Sequence, residues 1–161
     1  MIREIDKGEI AECVKVIRSS FKTVADEFGF TCENAPRFTA FATTEERLLY
    51  QLEIERRLMA AFFSDDGQML GYYSLAFQDD AACELNNLCV LPEFRHRQIG
   101  DELLSDACAR AKRRGCTRMN ISIVEENERL RRWYEGKGFI HTRTQKFDFF
   151  PFTCGYMEKA L

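Results

Sequence analysis

Apolar positions along the chain change period several times, and each change predicts an element. Residues 2–5 have the character of a short strand. Asp6-Lys7-Gly8-Glu9 has capping-box spacing, and Ile10, Cys13, Val14, Ile17 and Phe21 then recur with helical period, so an amphipathic helix follows that strand. Residues 27–43 are aromatic and irregular, with Phe28, Phe30, Phe38, Phe41 and Pro36. Residues 43–46 form a second capping-box pattern that predicts a helix to about Arg57. Three strand-like segments follow at residues 58–64, 69–77 and 82–90. Asp65-Asp66-Gly67 marks the turn between the first two, so this stretch reads as a meander.

Downstream, Ile99, Leu103, Ala107 and Ala111 lie four apart, Asp101 and Glu102 sit in the first turn, and Lys112-Arg113-Arg114-Gly115 close the element. Acid at the start, base at the end and a terminal glycine together predict a helix over residues 99–114. A strand over residues 117–124, a helix over residues 127–137 ended by Gly138, and strands near 139–147 and 153–160 complete the order. Strands first, then alternating helices and strands, predict a mixed sheet with helices on its faces, in one domain over residues 1–161.

Composition narrows the field. The 161 residues are 45% hydrophobic and 30% charged, enough to bury an ordinary globular core. The net charge of −3 gives no basic surface for nucleic acid, so any anionic ligand must be held locally. Seven cysteines are an odd number, and Cys13, Cys83, Cys89 and Cys108 sit within apolar runs, which reads as buried thiols in a reducing cytoplasm. No run approaches the roughly 18 apolar residues of a membrane span, and the start has no signal-peptide pattern. His96, His141 and the cysteines show no metal-ligand spacing, so no metal is expected.

Candidate chemistry concentrates in two segments. In the first, Leu88-Cys89-Val90-Leu91-Pro92 ends a strand, and Glu93-Phe94-Arg95-His96-Arg97-Gln98-Ile99-Gly100-Asp101 leads through a basic turn into a helix N-terminus. Unpaired N–H groups and the helix dipole there suit a phosphate. Read alone, the same residues also suit a solvated basic turn. In the second, Asn127, Leu130 and Tyr134 fall on one helical face ahead of Gly138-Phe139. Tyr134 on its own equally suits a core tyrosine.

The first segment resembles the acetyl-CoA signature of the GCN5-related N-acetyltransferases (GNAT), in which Arg or Gln precedes Gly by three residues and Gly or Ala by five. Arg95 and Gly100 fit, while Gln98 stands where the first Gly belongs. The second resembles the family's pattern of Asn, a small residue, Tyr and then Gly-Phe, with Leu130 bulkier than usual. The resemblance covers about residues 58–147 and implies a twisted, largely antiparallel mixed sheet of about seven strands with helices on both faces. It further implies that the fourth and fifth strands splay, that the backbone of Leu88, Cys89 and Val90 pairs with pantetheine, and that Arg95 to Asp101 and Asn127 hold the coenzyme.

An ammonium with a pKa of about 10 must lose a proton before attacking a thioester, and the leaving sulfur must gain one. Glu84 lies in the strand leading to the phosphate turn, at a spacing where some family members carry a catalytic Glu, and is the candidate base. Tyr134 is the candidate acid. Cys89 and Cys154 have no histidine placed by sequence to activate them, so direct attack is expected over an acyl-enzyme. The acceptor reads as a small-molecule or peptide amine of open identity. Phe28, Phe30, Phe38, Phe41, Phe147, Phe149, Phe150 and Phe152 suit core, an acceptor wall or a homodimer contact. The competing readings are a non-catalytic acyl-CoA sensor on the same fold, motivated by Gln98, and a nucleotide-binding α/β protein, for which no glycine-rich motif follows a strand.

Overall fold

The computed structural model describes residues 1–161. Seven strands form one sheet in the order β1-β2-β3-β4-β5-β7-β6. They are β1 (Ile2–Glu4), β2 (Leu58–Phe63), β3 (Met69–Phe77), β4 (Ala82–Val90), β5 (Arg118–Val124), β6 (Ile140–Lys146) and β7 (Thr153–Ala160). Only β4 and β5 run parallel, and every other pairing is antiparallel, so the mixed sheet takes the form expected from the sequence. Five helices cover it: α1 (Ile10–Phe28), α2 (Thr39–Ala42), α3 (Glu45–Glu53), α4 (Ile99–Arg113) and α5 (Glu128–Gly136). None is long and apolar enough to cross a membrane.

Strand alternation divides the core between the two faces. Leu58, Ala60, Tyr73, Leu75, Cys83 and Leu85 pack against Leu103, Leu104 and Ala107 of α4 and Tyr134 of α5. Their strand neighbours Met59, Ala61, Tyr72 and Cys89 point the other way, onto Cys13, Val16 and Ile17 of α1 and Leu48 of α3. Gly71 is required where α4 crosses β3, because a Cβ there would lie 2.8 Å from both the Cys89 carbonyl and a methyl of Leu103.

Two helices, α1 and α3, differ from the sequence expectation in their bounds. The first capping box is real, but Asp6 caps a 3-10 turn, Lys7–Glu9, that runs on into α1. α1 then runs to Phe28 and ends at Gly29 (φ 72°), so Glu27 and Phe28, the expected start of the irregular stretch, are its last helical residues, and Thr39–Ala42 within that stretch form the short α2. α3 is capped by Thr44, whose side chain accepts from the Arg47 N–H, whereas the Thr43 hydroxyl bonds back to Thr39. That helix stops at Glu53, and Arg56 takes a left-handed φ of 56° on the way into β2.

Candidate functional site

β4 and β5 share only three rungs, Ala82↔Arg118, Cys83↔Met119 and Glu84↔Asn120. Beyond Glu84 the strands part: β4 continues to Val90 beside β3 alone, and β5 continues to Val124 beside β7 alone. A bulge sharpens the divergence, since Tyr72 pairs with Cys89 and Ser74 with Asn86, leaving Asn87 and Leu88 opposite Tyr73. Asn87 takes a φ of 55° to make that extra turn. The backbone of Leu88, Cys89 and Val90 therefore faces a wedge with no strand partner on its β5 side, and an extended ligand arm can pair there.

At the wide end of the wedge, Pro92–Phe94 forms one 3-10 turn and the chain enters α4 through residues 95–98. Both His96 (φ 61°) and Gln98 (φ 65°) are left-handed, so the expected phosphate turn adopts the positive φ at Gln98 without its glycine. None of the backbone N–H groups of His96, Arg97, Gln98, Ile99, Gly100 and Asp101 donates a hydrogen bond within the protein. Alternating left- and right-handed residues at a helix N-terminus form a concave set of donors suited to a phosphate oxygen.

The side chains around this turn divide the work. Arg97 is exposed and forms no ion pair, its guanidinium lying over the Phe94 ring. Arg95 instead turns inward and donates to the Val90 carbonyl at 3.2 Å, the Thr23 hydroxyl at 3.0 Å and the Ser20 carbonyl at 2.8 Å. It ties the turn to α1, and burial holds its pKa below the ordinary arginine value. Asp101 pairs with Lys137 at 2.8 Å, joining the start of α4 to the end of α5, so what it offers an anion is its N–H.

Glu84 stands on the narrow end of the wedge, on the sheet face opposite to Cys83 and Leu85 and so opposite to α4 and α5. Burial raises its pKa, and the nearby charge of Arg57 and a hydrogen bond from Asn86 offset part of that rise. Close by on the same face, the hydroxyls of Tyr72 and Ser74 are fully buried and lack a well-formed protein partner. Tyr134 lies on the other face, buried between Trp133 and Phe139 with ring centroids 4.9 and 5.2 Å away. Burial first, then the Cys89 thiol, pushes its pKa well above the ordinary phenol value, so it stays protonated. Asn127 caps α5 by accepting from the Leu130 N–H at 3.3 Å, which holds that amide close to the helix.

The cysteines do not form a nucleophilic centre. Burial pushes the Cys89 thiol up to about 12 and raises Cys154 as well, so both remain protonated at neutral pH. His141 is engaged by Glu125 at 2.8 Å.

The aromatic segments from the two ends of the chain meet. Phe30, Phe38 and Phe152 are buried together with Val124 and Cys154, as core. Beside them lies a cavity of about 180 Å³ lined by Phe21, Phe38, Phe150 and Phe152 together with Ser122 and Asn127. Sequence reading placed Phe21 only on a helix and did not single out Arg37 or Ser122, both of which border this cavity. A larger, more open depression of about 540 Å³ runs along α3 past Arg47, Tyr50 and Glu55, and it shares no lining residue with the wedge.

Comparisons with known proteins agree with this geometry. The model of the family described as Acetyltransferase (GNAT) family matches residues 26–139. An uncharacterized N-acetyltransferase of Mycobacterium tuberculosis is 30% identical over 82 residues, 51% of this chain and 53% of that protein, so the match spans about half its length. The thialysine N-epsilon-acetyltransferase of Bos taurus is 24% identical over 86% of this chain and 82% of its own. Among solved structures, the PaiA N-acetyltransferase of Thermoplasma acidophilum in complex with coenzyme A superposes with a TM-score of 0.85. It is 22% identical, over 100% of this chain and 98% of that one. A ribosomal-protein-alanine N-acetyltransferase of Brucella melitensis gives 0.76 at 18% identity, over 100% and 99% of the two chains.

Proposed function

The chain belongs to the acetyltransferase (GNAT) family, and on that premise we propose that residues 1–161 act as one domain transferring an acetyl group from acetyl-CoA to an amine. Acetyl-CoA supplies the activated acetyl thioester. The observation that carries the reading is the run of six free N–H groups from His96 to Asp101, a donor set that fits a pyrophosphate and has no use within the protein. The exposed Arg97 adds charge at the same place. That the Thermoplasma protein was solved with coenzyme A supports the assignment.

Attack is direct, because the buried thiols are held protonated. Glu84, at the narrow end of the wedge, accepts the proton of the incoming ammonium, and its raised pKa brings it nearer to neutrality than an exposed carboxylate. Tyr134, on the opposite face, keeps an O–H whose only role within the fold is packing, and donates it to the departing sulfur. Backbone N–H groups near Leu88 to Val90, on the stretch of β4 that has no β5 partner, polarise the carbonyl under attack.

The test is a panel of amines offered with acetyl-CoA, reading release of free thiol. Turnover that depends on both Glu84 and an amine supports the proposal. Coenzyme binding with no thiol release across the panel replaces it with a sensor that binds acyl-CoA without turnover.

A further inference from the structure

We propose that the acceptor is a compact, apolar amine that also carries a carboxylate, and that Arg37 selects it. This rests on the reading above, in which the amine meets the thioester at the wedge. The cavity of about 180 Å³ borders Ser122, two residues beyond Asn120 on the strand whose last rung to β4 is Glu84. Two residues of strand advance about 7 Å and return to the same face, so the cavity opens one amino-acid length from the base.

Three features of its lining decide the chemistry. First, the walls are mostly aromatic and aliphatic, and the volume is below the roughly 300–1,000 Å³ of sites for drug-sized ligands, which favours a small apolar body. Second, Arg37 is the only charged side chain on the lining. A polyamine would bring a second ammonium toward the Arg37 guanidinium with no carboxylate on the lining to offset the repulsion. Third, Arg37 makes no ion pair and no hydrogen bond within the protein, and its guanidinium meets an aromatic ring instead.

Arg37 is nonetheless held in place. Its guanidinium lies 4.1 Å from the centre of the Phe149 ring, which stacks with Phe147 at 5.1 Å and meets Phe150 at 4.8 Å. Phe150 in turn stacks on Phe152 at 4.5 Å, within the cavity wall. An arginine seated on an aromatic face keeps its N–H edge free, and that edge matches a carboxylate in bidentate geometry. In a chain of net charge −3, this cation at the cavity mouth is a local device.

The experiment compares matched acceptors with saturating acetyl-CoA: L-leucine against L-leucinamide, L-phenylalanine against L-phenylalaninamide, and spermidine. Rates of thiol release are expressed per free amine, since the amides are less basic. The free amino acids are expected to exceed their amides at least fivefold in kcat/KM, about 1 kcal/mol, mostly through KM. Arg37→Gln removes that preference, Arg37→Lys restores part of it, and salt weakens it in wild type because Arg37 is exposed. Equal rates for acid and amide, a preference that survives Arg37→Gln, or spermidine as the best acceptor overturns the assignment. Failure of the base reading is separate: it shows as an unchanged pH profile in Glu84→Gln, which leaves the ratio of acid to amide untouched.

Discussion

Glu84 stands opposite Asn120 on the last rung that joins β4 to β5, so its carboxylate marks the point where the sheet opens. This is a position set by topology. The strand must stay paired through residue 84 to hold the side chain, and must part beyond it to admit a ligand. A group at that apex is half-buried by the fold, and that burial is why its pKa rises.

Two measurements follow for Glu84→Gln. General base catalysis typically contributes about a hundredfold to ten-thousandfold, so kcat/KM is expected to fall by that order below the pKa of the amine, with coenzyme affinity nearly unchanged. In wild type the acid limb of the pH–rate profile is expected above the ordinary carboxylate range, because the carboxylate must be ionised to act. The stability effect has the opposite sign. A raised folded-state pKa means that protonated Glu84 favours the fold, and that contribution is lost as pH rises through the folded value. Glu84→Gln is therefore expected to melt higher than wild type at neutral pH, with the difference closing toward pH of about 4. A lower Tm for the variant at pH 7 would contradict this account of the site.

Coenzyme binding at the phosphate turn is tested by melting. At about a hundredfold excess over Kd, a ligand that binds only the native state stabilises it by about 2.7 kcal/mol, which for a chain of this size is a rise of roughly 5–10 °C. Gln98→Gly is expected to keep this response. Gln98→Val, whose β-branch resists the positive φ, is expected to lose about 1–2 kcal/mol of stability and to weaken coenzyme binding. A normal coenzyme response in the Val variant would mean that the left-handed turn is not what holds the anion.

Much of this was readable from the chain. Residues 69–77, 82–90 and 153–160 appear as strands with the expected bounds, because each alternates or runs apolar between strong turn signals. α4 begins at Ile99 and ends one residue before the expected limit, because charge, period and glycine agree there. What escaped is what depends on distant partners. The inward turn of Arg95 is set by Thr23 and Ser20, 72 and 75 residues away, and no local pattern announces it. The seat of Arg37 on Phe149 joins two loops that meet only once the sheet has brought α1 and β7 together. The left-handed Gln98 is hidden for another reason: residue type reports a preference, and here the turn overrides it.

Arg95 gives a prediction that separates structure from ligand binding. Since its guanidinium is committed to Val90, Thr23 and Ser20, Arg95→Ala is expected to destabilise the fold by about 2–3 kcal/mol through the lost charge-assisted hydrogen bonds. Coenzyme affinity measured on the folded fraction should fall less than it does for Arg97→Ala, whose side chain is free of ion pairs. If calorimetry finds Arg95→Ala as stable as wild type but unable to bind coenzyme, the inward clamp is incidental and Arg95 is a phosphate ligand.

Tyr134 tests the last chemical step. Its ring fills a buried site against Trp133 and Phe139, so Tyr134→Phe keeps the packing and removes only the O–H. Stability should change little, since the hydroxyl makes no hydrogen bond that the fold would lose. A phenol whose pKa is raised holds its proton throughout the neutral range, so it can donate at any working pH and adds no basic limb of its own to the profile. The loss should fall on kcat with acetyl-CoA Kd unaltered. A thiol has an ordinary pKa of about 8.5, so its anion is already a tolerable leaving group, and the effect is expected near the lower end of the range for acid catalysis, about a hundredfold. Amines of lower basicity should feel it less, because their attack rather than loss of the sulfur then limits the rate. Wild-type kcat in a folded Phe variant, across acceptors of differing basicity, would reduce Tyr134 to a core residue and leave solvent to protonate the sulfur.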